Sequence, residues 1–202
     1  MSNRPANGII SGSPEDRHLI RRKFDTADII RAILFADKQS AGFIELDRLP
    51  DLKGPDDYRT LDNIFWFVKK NVRYQEDPAG REEVRSPGYL FQTQEGDCKS
   101  LSIAIAALCR AMGFPYKYRF VKQAGKGNFH HVYVVAETPD GSSRDTVILD
   151  AVNPRFNTEP RYVTKLDLKP GTKLPARIGA IEAPAPAILG LVLLFTILTF
   201  AD

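Results

Sequence analysis

The chain has 202 residues, of which 43% are hydrophobic and 26% are charged, and its formal net charge is +3. These values predict one globular domain with flanking segments, and they exclude a mostly disordered chain, a collagen-like repeat and a protein of many membrane spans. The small net charge gives no reason to expect nucleic acid as a partner. The first predicted elements are a polar N-terminal arm at 1–24 and a helix at 27–38.

The middle of the chain predicts two further helices that differ in character. Residues 39–56 predict a connector, and 57–71 an amphipathic helix with apolar residues on one face. Residues 75–96 show no clear period and hold several prolines and glycines, so they predict a long ordered loop. The helix predicted at 98–112 follows Asp97 as its N-cap. Apolar residues nearly surround it, which predicts a central, buried helix.

Three strands are predicted after the central helix, at 116–122, 130–137 and 146–150, from their alternating apolar residues. The second and third are separated by Pro139-Asp140-Gly141, and an Asp-Gly pair is a strong hairpin signal. We therefore expect these two strands to pair in an antiparallel hairpin.

Cys98 and Cys109 both lie on the predicted central helix, about 16 Å apart along its axis. This separation is too large for a disulfide, so we expect free thiols and a reducing compartment. Cys98 is the first residue of the helix, where unpaired N–H groups and the positive end of the helix dipole favour a thiolate. Lys99 adds to this effect, whereas Asp97 opposes it unless its carboxylate caps the helix. Cys109 lies deep in the helix and is predicted as a core residue.

A base for this thiol is predicted on the hairpin. A turn centred on Asp140-Gly141 would place His131 directly opposite Asp150, with Cβ atoms about 5 Å apart, although a bulge at 142–145 would shift this register. A carboxylate that accepts a hydrogen bond from one ring nitrogen leaves the other nitrogen free to take a proton from a thiol. Cys98, His131 and Asp150 thus have the residue types of nucleophile, base and orienting acid, while each alone could be structural.

A resemblance to the transglutaminase-like superfamily of papain-type cysteine enzymes is carried by three segments, GDCKSLSIAIAALCRAMGFPYKYRFV, HHVYVVAE and VILDAVNP. The upstream segment NVRYQEDPAGREEVRSPGYLFQTQEGDC is similar to transglutaminase-like proteins of bacteria and their tailed phages. The resemblance covers residues 57–155. It implies an α+β fold with a papain-like core, in which a Cys-bearing helix packs on an antiparallel sheet. The sequence shows no nucleotide-binding loop and no Cys/His spacing of a metal site, so we expect no metal or cofactor.

The resemblance also implies a reaction and the residues that perform it. The nucleophile falls on Cys98, the histidine on His131 and the acid on Asp150. The implied reaction is acyl transfer through a thioester, which gives hydrolysis or transamidation of peptide or isopeptide amide bonds. The backbone N–H of Cys98 would stabilise the oxyanion, with a side-chain donor from Gln92 or Gln94. The expected partner is a peptide or protein substrate, of which a peptidoglycan peptide is one example.

Two positions depart from the common pattern of this superfamily. Lys99-Ser100 stands where acidic residues often follow the cysteine, and Val132-Tyr133 stands where Ala-Trp often follows the histidine. Some members of the superfamily are non-catalytic. The alternative to an enzyme is therefore a structural or adaptor protein, such as a phage virion or assembly component, that uses the fold as a scaffold.

The predicted organisation is completed by a transglutaminase-like domain at 25–155, a basic, proline-containing linker at 156–186 and a hydrophobic tail at 187–202. Residues 187–201 carry no charge. As a helix they would extend about 22 Å, which is short of the roughly 30 Å hydrocarbon core of a membrane. Three alternatives stay open: a membrane anchor that leaves the domain on the cytoplasmic side, a segment buried in a virion or other assembly, and a core helix of this protein.

Overall fold

The computed structural model describes residues 9–10, 17–20, 25–79, 81–139 and 146–174. All three predicted helices and all three predicted strands are present, with ends that differ by at most one residue from the prediction. Short 3₁₀ helices occupy the predicted connector. The helices and strands in chain order are β1 (Arg17–Ile20), α1 (Thr26–Gln39), α2 (Asp57–Asn71), β2 (Arg73–Tyr74), β3 (Glu82–Arg85), α3 (Pro87–Thr93), β4 (Glu95–Gly96), α4 (Cys98–Ala111), β5 (Tyr116–Lys122), β6 (His131–Glu137), β7 (Thr146–Leu149) and β8 (Thr164–Leu168).

The central helix α4 is buried from Cys98 to Cys109. It packs on β6, and α1, α2 and α3 contact it from the other sides. An apolar helix needs such cover on every side, so the sequence prediction of a central, buried helix is confirmed. Mixed helices and an antiparallel sheet also confirm the predicted α+β class.

The main sheet has four antiparallel strands in the order β7-β6-β5-β8. β8 lies inside the segment 156–186, which the sequence analysis interprets as a linker, so the folded part continues beyond residue 155. Its outward-facing charges explain why it was missed: Asp167 accepts hydrogen bonds from Arg119 at 2.7 Å and pairs with Lys117 at 2.8 Å. A short edge strand with charged residues has the composition of a polar linker.

The β6–β7 register differs from the prediction. Val134 lies opposite Leu149, and continuing this ladder puts Asp150 level with Tyr133 rather than with His131. The shift is an even number of residues, so Asp150 and His131 stay on the same face of the hairpin. Diagonal neighbours in an antiparallel pair are still within reach of long side chains. The predicted turn at 140–141 lies outside the described residues.

The segment 75–96 is not a loop, as its composition suggested, but contains β3, α3 and β4. β3 pairs with β1, and β4 runs parallel to β2. Ser86 caps α3, and Pro87 occupies its first turn, where the missing N–H of proline costs nothing. These elements are too short to show a hydrophobic period, which is why the sequence pattern did not predict them.

The flanks are only partly described. Ile9 and Ile10 are buried, and Ile10 forms a β-bridge with Ile44, so this part of the predicted arm packs against the domain. The hydrophobic tail at 187–202 lies outside the described residues, as do the linker residues after 174. Among the helices that the structure does describe, none combines the length and apolar character needed to cross a membrane.

Candidate active site

A cavity of about 380 Å³ opens beside the N-terminus of α4. Cys98 and His131 both line it. One wall is apolar and comes from α1, with Ile29 and Ile33 among its residues, and other walls come from the segment after β2 and from the residues before β6. The structure therefore places the predicted nucleophile and the predicted base on one solvent-reachable cavity.

The position of Cys98 follows from the turn that precedes α4. A Cβ on Gly96 would lie 2.4 Å from Leu90 Cδ1 and 3.2 Å from Ser100 Cβ, so a larger residue here would force the buried Leu90 side chain to move. Asp97 then caps the helix, with its Oδ1 accepting hydrogen bonds from the N–H groups of Lys99 at 3.1 Å and Ser100 at 3.3 Å. Cys98 is thus the first residue of α4, where helix N–H groups favour an anion.

His131 is the first residue of β6, and its side chain contacts Asp150, which follows β7. Its Nε2 lies 2.8 Å from Asp150 Oδ2, and the two side chains are 12% and 4% exposed. The other Asp150 oxygen accepts a hydrogen bond from the Val152 N–H at 3.1 Å. Lys69 of α2 holds the next residue, donating to the Ala151 carbonyl at 2.8 Å. The carboxylate is therefore fixed, and it orients the imidazole.

Cys98 lines the same cavity as His131. It is among the groups that raise the pKa of this histidine, and because Asp150 takes Nε2, Nδ1 is the nitrogen left for sulfur. One turn into α4, the Ser102 hydroxyl donates to the Val132 carbonyl at 3.0 Å, which ties the helix to β6 beside the pair. The three predicted residues are thus brought together.

The environment of His131 favours its protonated form. Burial alone would lower the pKa of the imidazole, but the hydrogen bonds and negative charges of Asp150 and Cys98 outweigh burial and raise this pKa to about 10. An imidazolium beside a thiol stabilises the thiolate, which is the nucleophilic form of cysteine. The arrangement is suited to nucleophilic attack and to proton donation by the same imidazole.

The second thiol has a different setting. Both cysteines are free, as predicted. Cys109 is completely buried in the core, and burial raises the pKa of its thiol. It is therefore held as a neutral, apolar side chain.

Neither predicted oxyanion donor lies at the cavity. Gln92 and Gln94 are exposed and are not among the residues that line it. Gln94 ends α3 in a left-handed conformation, with φ of 57°, and lines a separate hollow beside Arg73. The local turn at the end of α3 carries both amides away from Cys98.

Tyr74 is a residue that the sequence analysis did not single out. It lines the cavity with Cys98. Burial, and then the negative charges of Cys98 and Glu76, raise the pKa of the phenol, so it stays protonated as a hydrogen-bond donor. The signal was present in the sequence, since Tyr74 belongs to the R-Y-x-x-D-P segment that carries part of the resemblance.

Three carboxylates line the same cavity as Cys98, where the sequence analysis expected only Asp97. Oxygens of Asp77, Glu82 and Asp97 lie within 4.8 Å of one another, a spacing that could hold a metal ion. The ammonium group of Lys99 contacts all three. Burial would lower the pKa of Lys99, but Asp97 and its neighbours outweigh burial and raise it, so Lys99 keeps its positive charge.

The comparison with protein families identifies the domain. The model of the Transglutaminase-like superfamily matches residues 50–145. The chain carries a transglutaminase-like domain. The matched part of this domain includes Cys98 and His131, and Asp150 follows shortly after it. No curated protein sequence matches the chain at a significant level.

Solved structures with similarity to the transglutaminase-like domain include three bacterial proteins. Calcium-bound LapG of Legionella pneumophila has 15% identity and a TM-score of 0.45 over 76% of this chain and 93% of its own. A candidate cysteine protease of Cytophaga hutchinsonii has 20% identity and a TM-score of 0.38 over 68% of this chain. A candidate protease of Parabacteroides distasonis has 14% identity and a TM-score of 0.44 over 59% of this chain. This chain spans 49% of the Cytophaga protein and 26% of the Parabacteroides protein.

Proposed function

We propose that this protein is a cysteine-dependent hydrolase or acyltransferase that acts on peptide or isopeptide amide bonds. The observation that carries the proposal is the placement of His131, whose Nε2 lies 2.8 Å from Asp150 Oδ2 and which lines the same cavity as Cys98. Residues 50–145 match the family that the sequence resembled.

The reaction would begin with attack of Cys98 Sγ on the carbonyl carbon of the amide. The carbonyl oxygen becomes an oxyanion. The backbone N–H of Cys98 would donate to it, and the hydroxyl of Tyr74, which donates to Glu76 at 3.5 Å in the structure, would turn to it as a second donor. As the C–N bond breaks, His131 gives its proton to the leaving amine, and a thioester remains on Cys98.

The second half of the reaction releases the acyl group. Neutral His131 takes a proton from a water molecule or from an acceptor amine, which attacks the thioester carbonyl. The C–S bond breaks, Cys98 leaves as a thiolate and His131 is again an imidazolium. Asp150 keeps the ring oriented and stabilises its positive charge through both halves.

The test measures the rate of Cys98 alkylation by iodoacetamide as a function of pH, in a Cys109→Ala background that leaves one thiol. We expect rapid alkylation well below the value of about 8.5 at which an ordinary thiol ionises. His131→Ala should move the profile to higher pH, because the imidazolium is lost. His130→Ala is the matched control, since His130 is the exposed neighbour and bonds Gln123 rather than Asp150.

An unreactive Cys98, or a profile that His131→Ala leaves unchanged, would refute the thiolate–imidazolium pair. In that case the scaffold alternative becomes the better interpretation. With a reactive thiol established, peptide amides and isopeptides with and without an added amine distinguish hydrolysis from transamidation.

A further inference from the structure

The cluster beside Cys98 joins three separate segments of the chain through one side chain. Asp77 follows β2, Glu82 begins β3 and Asp97 caps α4. Lys99 Nζ lies 3.3 Å from Asp77 Oδ2 and donates hydrogen bonds to Glu82 Oε2 and Asp97 Oδ2. The side chains of Lys99 and Asp77 are each only 8% exposed. This lysine is thus an internal contact rather than a surface charge.

The two oxygens of Asp97 divide their contacts between the helix and the lysine. Oδ1 accepts hydrogen bonds from the first free N–H groups of α4, and Oδ2 accepts from Lys99 Nζ. The contact with Lys99 therefore fixes the capping carboxylate that starts the helix at Cys98. It also compensates negative charge that would otherwise oppose a thiolate at the adjacent residue.

The spacing of the three carboxylates calls for a cation between them. Three carboxylate oxygens within 4.8 Å of one another repel each other strongly unless a cation lies among them. Oxygen ligands at such spacing are those that hard divalent cations prefer. Here the cation is the ammonium group of Lys99, supplied by the chain itself.

We propose that Lys99 is a positioning residue that acts as a built-in cation for the Cys98 site, in a carboxylate cluster that would otherwise need a divalent metal ion. The role attached to Cys98 rests on the proposed function, whereas the cation role of Lys99 rests only on the cluster. The native protein should therefore hold its nucleophile in place without an added divalent cation.

The experiment compares Lys99→Met with Lys117→Met in the full chain with Cys109→Ala. Lys117 pairs with Asp167 at 2.8 Å on the sheet edge, far along the chain from the cluster, so it controls for the loss of any lysine ion pair. Tm and the pH profile of Cys98 alkylation are measured with and without millimolar calcium chloride. Lys99→Arg, which keeps the charge, is measured beside them.

Without calcium, Lys99→Met should lower Tm and move the alkylation profile to higher pH. Alkylation at neutral pH should slow about tenfold for each pH unit of that shift. Calcium should restore much of both properties in this variant and leave the native chain and Lys117→Met unchanged. Lys99→Arg should keep part of the alkylation rate.

The proposal is overturned if Lys99→Met keeps the native alkylation profile, or if calcium changes neither its Tm nor its alkylation. If the variant does not fold alone, it is refolded in calcium, and a chain that stays unfolded there also overturns the proposal. Failure of the proposed function gives a different result. His131→Ala would then leave the alkylation profile unchanged, whereas calcium would still raise the Tm of Lys99→Met.

Discussion

The two ends of α4 carry the same residue types but differ in what surrounds them. At the N-terminal end, Cys98 precedes Lys99, and at the C-terminal end, Cys109 precedes Arg110. Each cation pairs with a buried carboxylate, which at the C-terminal end is Asp37. The N-terminal end lines a cavity together with His131, whereas Cys109 is completely buried. A thiol beside a cation is therefore not enough to make a site.

The C-terminal end shows what such a cluster does when it serves the fold alone. Asp37 is 1% exposed, and its Oδ1 accepts hydrogen bonds from the hydroxyls of Tyr116 at 2.7 Å and Tyr118 at 2.8 Å. Arg110 donates to the other carboxylate oxygen and to the Asp37 carbonyl. These contacts tie α1 to α4 and β5.

The largest expected effect concerns the two thiols. Cys98→Ala should lower kcat/KM for amide hydrolysis by at least about a thousandfold, because the nucleophile is removed. Cys109→Ala should keep the activity and cost about 1 kcal/mol of stability, through a small core cavity. Initial rates on a panel of fluorogenic peptide amides measure the activity, and urea unfolding measures the stability. Equal activity of the two variants would contradict the assignment of Cys98.

The second prediction concerns the stability that the cluster around Asp37 gives to the C-terminal end of α4. Asp37→Asn should lower the free energy of unfolding by about 3 kcal/mol, because Arg110 loses the charge of its buried partner. The alkylation profile of Cys98 should not change. Asp51→Asn removes an exposed pair with Arg48 and should cost less than about 1 kcal/mol. Urea unfolding checks both variants, and an equal cost for the two would show that the Asp37 cluster does not stabilise the fold.

The third prediction concerns the N-terminal end of α4, where Tyr74 lines the cavity with Cys98. Tyr74→Phe should lower kcat by about a hundredfold with a small change in KM, if its hydroxyl donates to the oxyanion. Tyr162→Phe, which alters a tyrosine in the small apolar cluster with Tyr133, should leave both constants unchanged. Steady-state kinetics decide the point. A loss confined to KM would show that Tyr74 only binds substrate.

The most gradual effect is the pH dependence of stability at His131, which is spread over several pH units. Its folded pKa of about 10 lies above the ordinary value of 6.5. The stability that its protonation contributes is therefore fully present below pH 6.5 and is lost as pH rises through 10, by at most about 1.4 kcal/mol per pH unit. The stability difference between the native chain and His131→Ala should shrink over this window. Urea unfolding at a series of pH values measures it, and a constant difference would contradict the prediction.

The predicted site and the structure agree for reasons that differ from residue to residue. Cys98 was predicted from its place after a capping aspartate, which is a local property. The contact of His131 with Asp150 was predicted from a register that proved to be shifted, yet the contact is present because an even shift keeps both residues on one face. Gln92 and Gln94 lie close to Cys98 in sequence, but both are exposed and neither lines its cavity.

Sequence alone determined the three long helices and the strands of the hairpin, because capping residues and hydrophobic periods act over a few neighbouring positions. The family was indicated by the resemblance of three separated segments. The tertiary structure alone decided that Tyr74 lines the cavity and that Lys99 meets Asp77 and Glu82. Those contacts join short elements that have no period of their own. Their positions depend on how α4, α3 and the small sheets pack together, and no local pattern encodes that packing.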